Sequence, residues 1–251
     1  MKDYFSKQSQ AYAKYRPVYP PSLFEFIFSL VEEKQLAWDV GTGNGQTAAA
    51  LAAGFSRVFA TDISEQQINN AEKADNIIYA VEPAEHTSLQ NESVNLVTIS
   101  QALHWFNFPV FYEEVKRVAK PGAVVAAWTY TLLKIDPQTD QLIYDHHYDT
   151  LEDYWDDERI YVDEGYANIP FPFNQIPSPD FNIEVNWNLQ QLEGYLNTWS
   201  ALQKFIKING TNPVPALMEK IKKQWPEDET RAVVFPIKLK AGLIHETSDK
   251  K

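Results

Sequence analysis

The sequence feature that most constrains the fold of this chain is an alternation of short apolar segments with helix-patterned segments. Five apolar runs, at residues 36–43, 56–63, 76–82, 93–102 and 123–130, each have the length of a buried strand. Helical segments separate them, among them the alanine-rich residues 46–54 and the Ser-initiated residues 64–74. Strands that are apolar on both faces and joined by helices are typical of a parallel sheet covered on both sides. The pattern therefore predicts an α/β fold.

The segments on either side of this alternation have other patterns. Apolar residues at helical spacing predict an amphipathic helix over residues 23–33, with Ser22 as its N-cap. Residues 132–180 are rich in Asp, Tyr and Pro, which predicts a helical insertion followed by a connector whose four prolines exclude regular structure. An antiparallel edge strand is expected from residue 181, and a closing strand from residue 231 with Pro236 at a bulge or edge.

Composition and charge exclude several classes of function. The 34 acidic residues exceed the 22 basic ones, and the net charge of -12 disfavours nucleic acid and anionic membranes as partners. With no cysteine, the chain has no disulfide, thiolate metal site or cysteine nucleophile, which fits a reducing compartment. No apolar run has the length of a membrane span, and the N-terminus lacks a signal-peptide core. We therefore expect a cytoplasmic protein. The sequence carries no signal for an oligomeric state.

A glycine-rich turn follows the first predicted strand, and its three glycines are spaced two residues apart: Gly41, Gly43 and Gly45. Such a turn before a helix lets backbone N–H groups approach a bound ligand. Asp39 ends the first predicted strand, and Asp62 ends the second, where a carboxylate can accept both hydroxyls of a ribose. A dinucleotide turn would have its third glycine at Gln46. The tighter spacing suits a cationic, amino-acid-bearing ligand better than a pyrophosphate. The structural alternative is a turn that only packs a helix against a strand.

This combination resembles the class I S-adenosylmethionine (SAM) dependent methyltransferases. Within them the chain is similar to the type 11 family, and more narrowly to the branch containing trans-aconitate methyltransferase. The narrower match lies in FSKQSQAYAKYRPVYP, PAEHTSL, ISQALHWF, YDTLEDYWDDERIYVDEGY, LNTWSA and VVFPIKL. The resemblance implies a Rossmann-like sheet of seven strands with helices on both faces and a helical cap. It also implies one domain over residues 1–251, made of an N-terminal lid and first helix (1–35), a SAM-binding half (36–131), a cap insertion (132–180) and C-terminal strands and helices (181–251).

The resemblance implies SAM as the cofactor and residues that would bind it. Asp39 would position the amino group of SAM, Asp62 would hold its ribose diol, and Ile63 would lie against its adenine. The expected cofactor-binding residues lie in the N-terminal lid or after predicted strands: Phe5, Tyr12, Asp39, Gly41, Thr42, Gly43, Asp62, Ile63, Ala84, Glu85, Ser100, Gln101 and Ala102.

The expected reaction transfers a methyl group to a small organic acceptor, most simply at oxygen. A carboxylate acceptor is already a nucleophile, whereas a hydroxyl needs a base, for which His104 is the best candidate. The structural alternative for His104 is a side chain that orders its loop. Arg16 is the candidate clamp for a carboxylate, and Tyr15, Trp105 and Arg159 are candidate walls of the acceptor pocket. Arg57 and Arg117 have the pattern of solvated surface charges.

Two other functions compete with this interpretation. A nicotinamide dehydrogenase with an atypical turn is disfavoured by Gln46. A SAM-binding sensor without catalysis would be favoured by a closed or filled acceptor cavity. The pair His146-His147 has a metal-like composition, but adjacent helix residues point ~100° apart and do not share an ion unaided, so no metal is expected.

Overall fold

The computed structural model of the chain describes residues 17–244, and its strands form one sheet. The strands are β1 (Leu36–Val40), β2 (Arg57–Asp62), β3 (Ile77–Val81), β4 (Val94–Ser100), β5 (Ala119–Tyr130), β6 (Asn174–Ile176), β7 (Phe181–Trp187) and β8 (Arg231–Leu243). They are ordered β3-β2-β1-β4-β5-β8-β6, and β7 also pairs with β8. The first five strands are parallel, and β8 is antiparallel to each of its neighbours. The α/β class predicted from the alternating segments is confirmed.

These strands occupy seven positions, as expected, because β6 and β7 follow one another along the same edge of β8. Beyond the end of β5, Lys134 pairs with Val234 on the side of β8 that β5 occupies. Strand β7, which also pairs with Val234, therefore lies on the opposite side of β8. The prediction that the proline-rich connector has no regular structure is wrong at β6. Residues Asn174–Ile176 contain no proline and keep the N–H groups that pair with β8.

Helices cover both faces of the sheet. They are α1 (Pro21–Ser29), α2 (Gln46–Ala52), α3 (Glu65–Asn69), α4 (Phe108–Val118), α5 (Pro137–Asp145), α6 (Arg159–Asp163), α7 (Leu189–Leu196), α8 (Ser200–Asn209) and α9 (Val214–Ile221). A π turn at His146–Thr150 and 3-10 turns at Leu103–Trp105 and Glu152–Tyr154 join them. Alternate strand residues enter two separate cores, since Ala37 packs in one and Trp38 and Val40 in the other. Both faces of the sheet are therefore buried.

One local prediction is corrected by the structure. The first helix begins at Pro21 with Pro20 as its N-cap, so Ser22 lies inside the helix and does not cap it. Pro236 lies at an irregularity in the pairing of β8, in agreement with the expected bulge: between the pairs Tyr130–Ile237 and Lys134–Val234, three residues face two residues of β8. Its carbonyl accepts from the N–H of Thr131, just beyond the last regular pair of β5 with β8, Tyr130 with Ile237. Proline is tolerated at Pro236 because the N–H it lacks would face this irregular end of the ladder.

Across residues 17–244, none of the helices is both long and apolar enough to cross a membrane.

Candidate active site

The carboxyl ends of β1, β2 and β4 meet at one edge of the sheet. Because β1 lies between β2 and β4, Asp39 on β1 is flanked by Ala60 on β2 and Thr98 on β4. Open α/β sheets bind ligands outside the carboxyl ends of their strands, where the strand order reverses. In this sheet the reversal falls between β1 and β4. The glycine-rich turn and the loop after β4 therefore form the two sides of the candidate site.

The glycines of the turn after β1 have left-handed backbones but different surroundings. The φ angles are 64° at Gly41, 56° at Gly43 and 82° at Gly45. A Cβ atom on Gly41 would lie 2.6 Å from the Cβ of Ala102, and one on Gly45 would overlap the hydroxyl of Tyr79. At Gly43 an added Cβ would meet no atom within 4 Å among the described residues. Gly41 and Gly45 are required for packing, whereas the backbone at Gly43 borders open space that a ligand can approach.

Asp62, at the end of β2, ties the turn to the next helix. Its Oδ2 accepts from the N–H of Gly43 and its Oδ1 from the N–H of Ser64, both at 2.9 Å. Ser64 caps α3 as predicted, because its hydroxyl accepts from the N–H of Gln67. The half-buried carboxylate is thereby fixed in orientation beside the turn.

Asp39 lies beneath the turn with no exposed surface. Thr42 donates to its Oδ2 at 2.5 Å and Thr98 to its Oδ1 at 2.8 Å. Burial raises the pKa of Asp39 to about 7, against the opposing effect of these two hydrogen bonds. The carboxyl therefore changes protonation near neutral pH. Thr42 itself is buried, and its side chain forms part of the floor of the site through its bond to Asp39.

The loop after β3 is held in place by a buried ion pair. Glu114 on α4 accepts from the N–H and the hydroxyl of Thr87 and pairs with Arg117 at 2.6 Å. Arg117 also donates to the carbonyls of Thr87 and Leu89 and to the side chain of Asn91. The prediction that Arg117 is a solvated surface charge is therefore wrong. The ion pair fixes the loop that contains Ala84 and Glu85.

Three predicted residues lie in the loops after β2 and β3. Ala84 is buried, Ile63 is half-buried, and the Glu85 carboxylate accepts from the N–H of Asn107 at 2.9 Å. This hydrogen bond joins the loop after β3 to the loop before α4.

The end of β4 is strained and tightly bonded. Gln101 has a φ of 55°, which is unfavourable for a residue other than glycine. Its side-chain oxygen accepts from the hydroxyl of Thr129 at 2.5 Å, which holds the residue in place. Ser100 donates to the hydroxyl of Tyr19 at 2.7 Å, and Ala102 packs against the turn. Tyr19 and Thr129 are not among the predicted site residues, although Tyr19 lies in the N-terminal motif that resembles the family.

His104 follows in the 3-10 turn, where its side chain is 8% exposed. Its Nδ1 lies 3.0 Å from the hydroxyl of Tyr166, a fully buried residue of the cap. Burial lowers the pKa of His104 to about 3, with a smaller contribution from Arg159. The imidazole is therefore neutral across the physiological range. A loop-ordering role for His104 would use a bond to a backbone group, whereas the observed partner is the side-chain hydroxyl of Tyr166.

A cavity of about 110 Å³ opens beside His104, between the sheet, the cap and the α7–α8 turn. Its walls come from four separate parts of the chain: Gln101, His104, Trp105, Tyr130, Thr131, Leu132, Trp155, Asp156, Arg159, Val162, Tyr195, Thr198, Trp199 and Ser200. The predicted Trp105 and Arg159 are among them. The residues of the α7–α8 turn were not predicted, because nothing in that segment indicates that it folds back onto β4.

The remaining predicted site residues, Phe5, Tyr12, Tyr15 and Arg16, lie outside the described residues. Within residues 17–244, no group of three or more His, Cys, Asp or Glu side chains is arranged to hold a metal ion.

Comparison with known proteins gives consistent matches. Residues 38–127 match the family described as the methyltransferase domain. Over 246 residues the chain is 37% identical to a candidate methyltransferase of Dictyostelium discoideum, covering 96% of this chain and 94% of that protein. A candidate SAM-dependent methyltransferase of Saccharomyces cerevisiae is 30% identical over 133 residues, 49% of this chain and 45% of that protein. The solved structure of a candidate type II methyltransferase from Anaeromyxobacter dehalogenans has a TM-score of 0.86 at 37% identity, covering 92% of this chain and 99% of that chain.

These relatives decide between the alternatives that the sequence left open. A nicotinamide dehydrogenase is contradicted by the family match, and the similarity over nearly the whole chain to proteins named as methyltransferases supports an enzyme over a non-catalytic binder. The narrower resemblance to the trans-aconitate branch stays a prediction. The chain belongs to the class I SAM-dependent methyltransferases, enzymes that use SAM as their cofactor.

Proposed function

We propose that this methyltransferase transfers the methyl group to an oxygen atom, of a carboxylate or a hydroxyl, on a small organic acceptor. The observation that carries the proposal is the cavity at the carboxyl ends of β4 and β5. A cavity of about 150 Å³ accommodates benzene, so this one, at about 110 Å³, admits a group of roughly that size. The net charge of -12 supports a small molecule over nucleic acid as the acceptor. A cytoplasmic location stays a prediction from composition.

The residues around the turn fit a SAM molecule. Gly43 borders open space, and Asp62 presents a fixed carboxylate beside it for ribose hydroxyls. Asp39 would accept from the amino group, and Ser100 to Ala102 would border the methyl group. Gly41, Thr42, Ile63, Ala84 and Glu85 complete the proposed site, with Phe5 and Tyr12 from the N-terminal segment. When bound, SAM supplies an electrophilic methyl group on a positively charged sulfur.

The chain's own contribution would be to orient the acceptor and exclude water. We infer an in-line displacement, for which positioning alone can lower the barrier by up to ~7 to 11 kcal/mol. We further propose the division of the chain expected from the sequence, with residues 1–35 as the N-terminal lid and first helix, 36–131 as the SAM-binding half, 132–180 as the cap insertion and 181–251 as the C-terminal strands and helices.

His104 bears on which oxygen is methylated. A neutral imidazole whose pKa is about 3 is a weak base for a hydroxyl proton but a good hydrogen-bond partner for a carboxylate. Its contact with Tyr166 fixes the ring at the cavity wall. The role proposed for His104 is accordingly to orient the acceptor, with base catalysis required only for a hydroxyl acceptor. Arg16 would assist with a carboxylate if the lid closes over the site.

Labelled SAM tests this proposal. The enzyme is incubated with methyl-labelled SAM and a panel of small carboxylic acids, phenols and amines, and labelled product is counted before and after mild alkali. Methyl esters release labelled methanol in alkali, whereas methyl ethers and methylamines keep the label. Alkali-labile product indicates a carboxylate acceptor, and stable product from phenols indicates a hydroxyl. Label found only in amines would contradict the proposal.

A further inference from the structure

One arginine on the cavity wall, Arg159, is held in place by two contacts with neighbouring side chains. The Nε of Arg159 donates to the Oδ1 of Asp163 at 2.8 Å, and its guanidinium lies over the ring of Trp155 at 4.5 Å. Neither Nη1 nor Nη2 of Arg159 has a hydrogen-bond partner among residues 17–244. The two contacts restrict the plane and the rotation of the guanidinium. Among the described residues, the two nitrogens that can bind an anion bidentately have no hydrogen-bond partner.

Further contacts fix Asp163 and Trp155, the two residues that hold Arg159 in place. The Nε2 of His147, a fully buried residue, lies 3.3 Å from the Oδ2 of Asp163. Burial lowers the pKa of His147, so its neutral ring donates from Nε2 to the carboxylate. The indole N–H of Trp155 donates to the backbone carbonyl of His147 at 3.1 Å. His147, Asp163, Trp155 and Arg159 therefore form a closed set of contacts at the cavity wall.

The rest of the wall is mostly aromatic. Trp105, Tyr130, Tyr195 and Trp199 line the cavity in addition to Trp155. Ring faces favour a planar, apolar group of matching size. The other charged lining residue, Asp156, is paired with Lys204 at 2.8 Å, so its charge is compensated.

We propose that the cavity selects an acceptor in which a planar ring carries an anionic group, and that Asp163 and His147 are positioning residues that hold Arg159 to bind this anion. The ring packs against the aromatic walls, and the anion binds Nη1 and Nη2 of Arg159. This inference rests on the proposed function, since it specifies the acceptor of the same site.

Binding of simple probes tests this selectivity without methyl transfer. Calorimetry on the full chain saturated with S-adenosylhomocysteine gives dissociation constants for benzoate, for the neutral benzamide and for the cationic benzylamine. Benzoate is expected to bind at least tenfold more tightly than benzamide. Equal binding of the two, tighter binding of benzylamine, or no binding of any of them would overturn the proposal.

Variants distinguish a loss of the position of Arg159 from a general folding defect. Arg159→Gln and Asp163→Asn are expected to reduce the preference for benzoate to less than twofold, while the constants for benzamide and S-adenosylhomocysteine stay unchanged. A folding defect would weaken the binding of benzoate, benzamide and S-adenosylhomocysteine together. In that case His147→Asn provides a second variant of the same set of contacts. Arg231→Gln is the matched control: Arg231 also pairs through Nε with a carboxylate and stacks on a tryptophan, outside the cavity. A preference for benzoate that survives in Asp163→Asn and His147→Asn would overturn the positioning role.

A failure of this inference can be distinguished from a failure of the proposed function by the labelling experiment. If only alcohols without an anionic group are methylated, the proposed function holds and this inference fails. If label enters only amines, the proposed function itself fails.

Discussion

Neighbouring glycines of one turn have different reasons to be glycine. Gly41 is fixed by its contact with Ala102, and Gly45 by its contact with Tyr79, whereas Gly43 borders open space. The sequence spacing predicts that the turn exists and that it follows a strand. It does not distinguish the three positions, because Tyr79, which crowds Gly45, belongs to β3 and Ala102, which crowds Gly41, belongs to the segment after β4. That distinction requires the folded structure.

The burial of Asp39 makes stability depend on pH. Because its folded pKa of about 7 lies above the reference value of 3.8, the folded state retains a proton that the unfolded chain loses. The free energy of unfolding contributed by Asp39 therefore falls as pH rises from about 4 to about 7 and is constant above. The whole difference corresponds to at most about 4 kcal/mol.

Asp39→Asn is expected to remove this pH dependence. The amide keeps the shape of the carboxyl, and the hydroxyls of Thr42 and Thr98 can reorient to bond it. Urea unfolding at pH 5 and pH 8 should find the variant more stable relative to wild type at pH 8 than at pH 5. Asp180→Asn, at an exposed position, controls for the loss of one charge. An unchanged difference at the two pH values would contradict the prediction.

The elements of the fold were more predictable than the contacts that join them. Five apolar runs identify β1 to β5 because each is short and has no competing helical period, even at β3, an edge strand in which Ile78 and Val81 are exposed. The sequence indicates the end of α4 through Pro121 and Gly122, yet the helix stops at Val118 because Ala119 already pairs with Val94. The role of Arg117 was missed since its partners on the loop after β3 are far away in sequence.

The ion pair between Glu114 and Arg117 is expected to stabilise this junction of α4 with the loop. Burial alone would raise the pKa of Glu114, but hydrogen bonds from Arg117 and Thr87 lower it, so the stabilisation is present above the reference pKa of 4.5 and is lost as pH falls. Arg117→Gln leaves the buried carboxylate of Glu114 without its cation. The expected cost by urea unfolding at pH 7 is about 2 kcal/mol, below the ~3 to 5 kcal/mol for a fully buried pair, because the Arg117 side chain is 32% exposed.

Lys116→Gln is the matched control for this ion pair. Lys116 pairs with Glu113, which is 73% exposed, and such surface pairs contribute only ~0.2 to 1 kcal/mol. Equal losses in the two variants would contradict a special role for the pair at Arg117. A smaller loss for Arg117→Gln at pH 3 than at pH 7 is also expected.

At the scale of the whole molecule, the two ligand regions differ in how they are assembled. The proposed cofactor region is built from consecutive strand ends between Asp39 and Ala102, so a continuous stretch of sequence predicts it. The proposed acceptor cavity combines this edge with residues of the 132–180 segment and with the α7–α8 turn. Its composition depends on how distant segments pack together, which no single motif encodes. This is why the family was evident from the sequence and the acceptor was not.

Cofactor binding should stabilise the whole fold, because the site joins several strands of one sheet. A ligand at 100 times its dissociation constant stabilises the native state by ~2.7 kcal/mol, or roughly 5 to 10 °C in melting temperature for a chain of this size. SAM and S-adenosylhomocysteine are expected to produce this shift, and NADH none.

In Gly43→Ala the shift should be lost, since a methyl group would occupy the open space beside the turn. Gly210→Ala adds a methyl group to a similar left-handed position, with a φ of 71° and no neighbour within 4 Å, at the end of α8. Both variants should therefore lose about 1 to 2 kcal/mol through backbone strain, but only Gly210→Ala should keep the full cofactor shift. Loss of the shift in both, or retention in both, would contradict the assignment of Gly43 to the cofactor site.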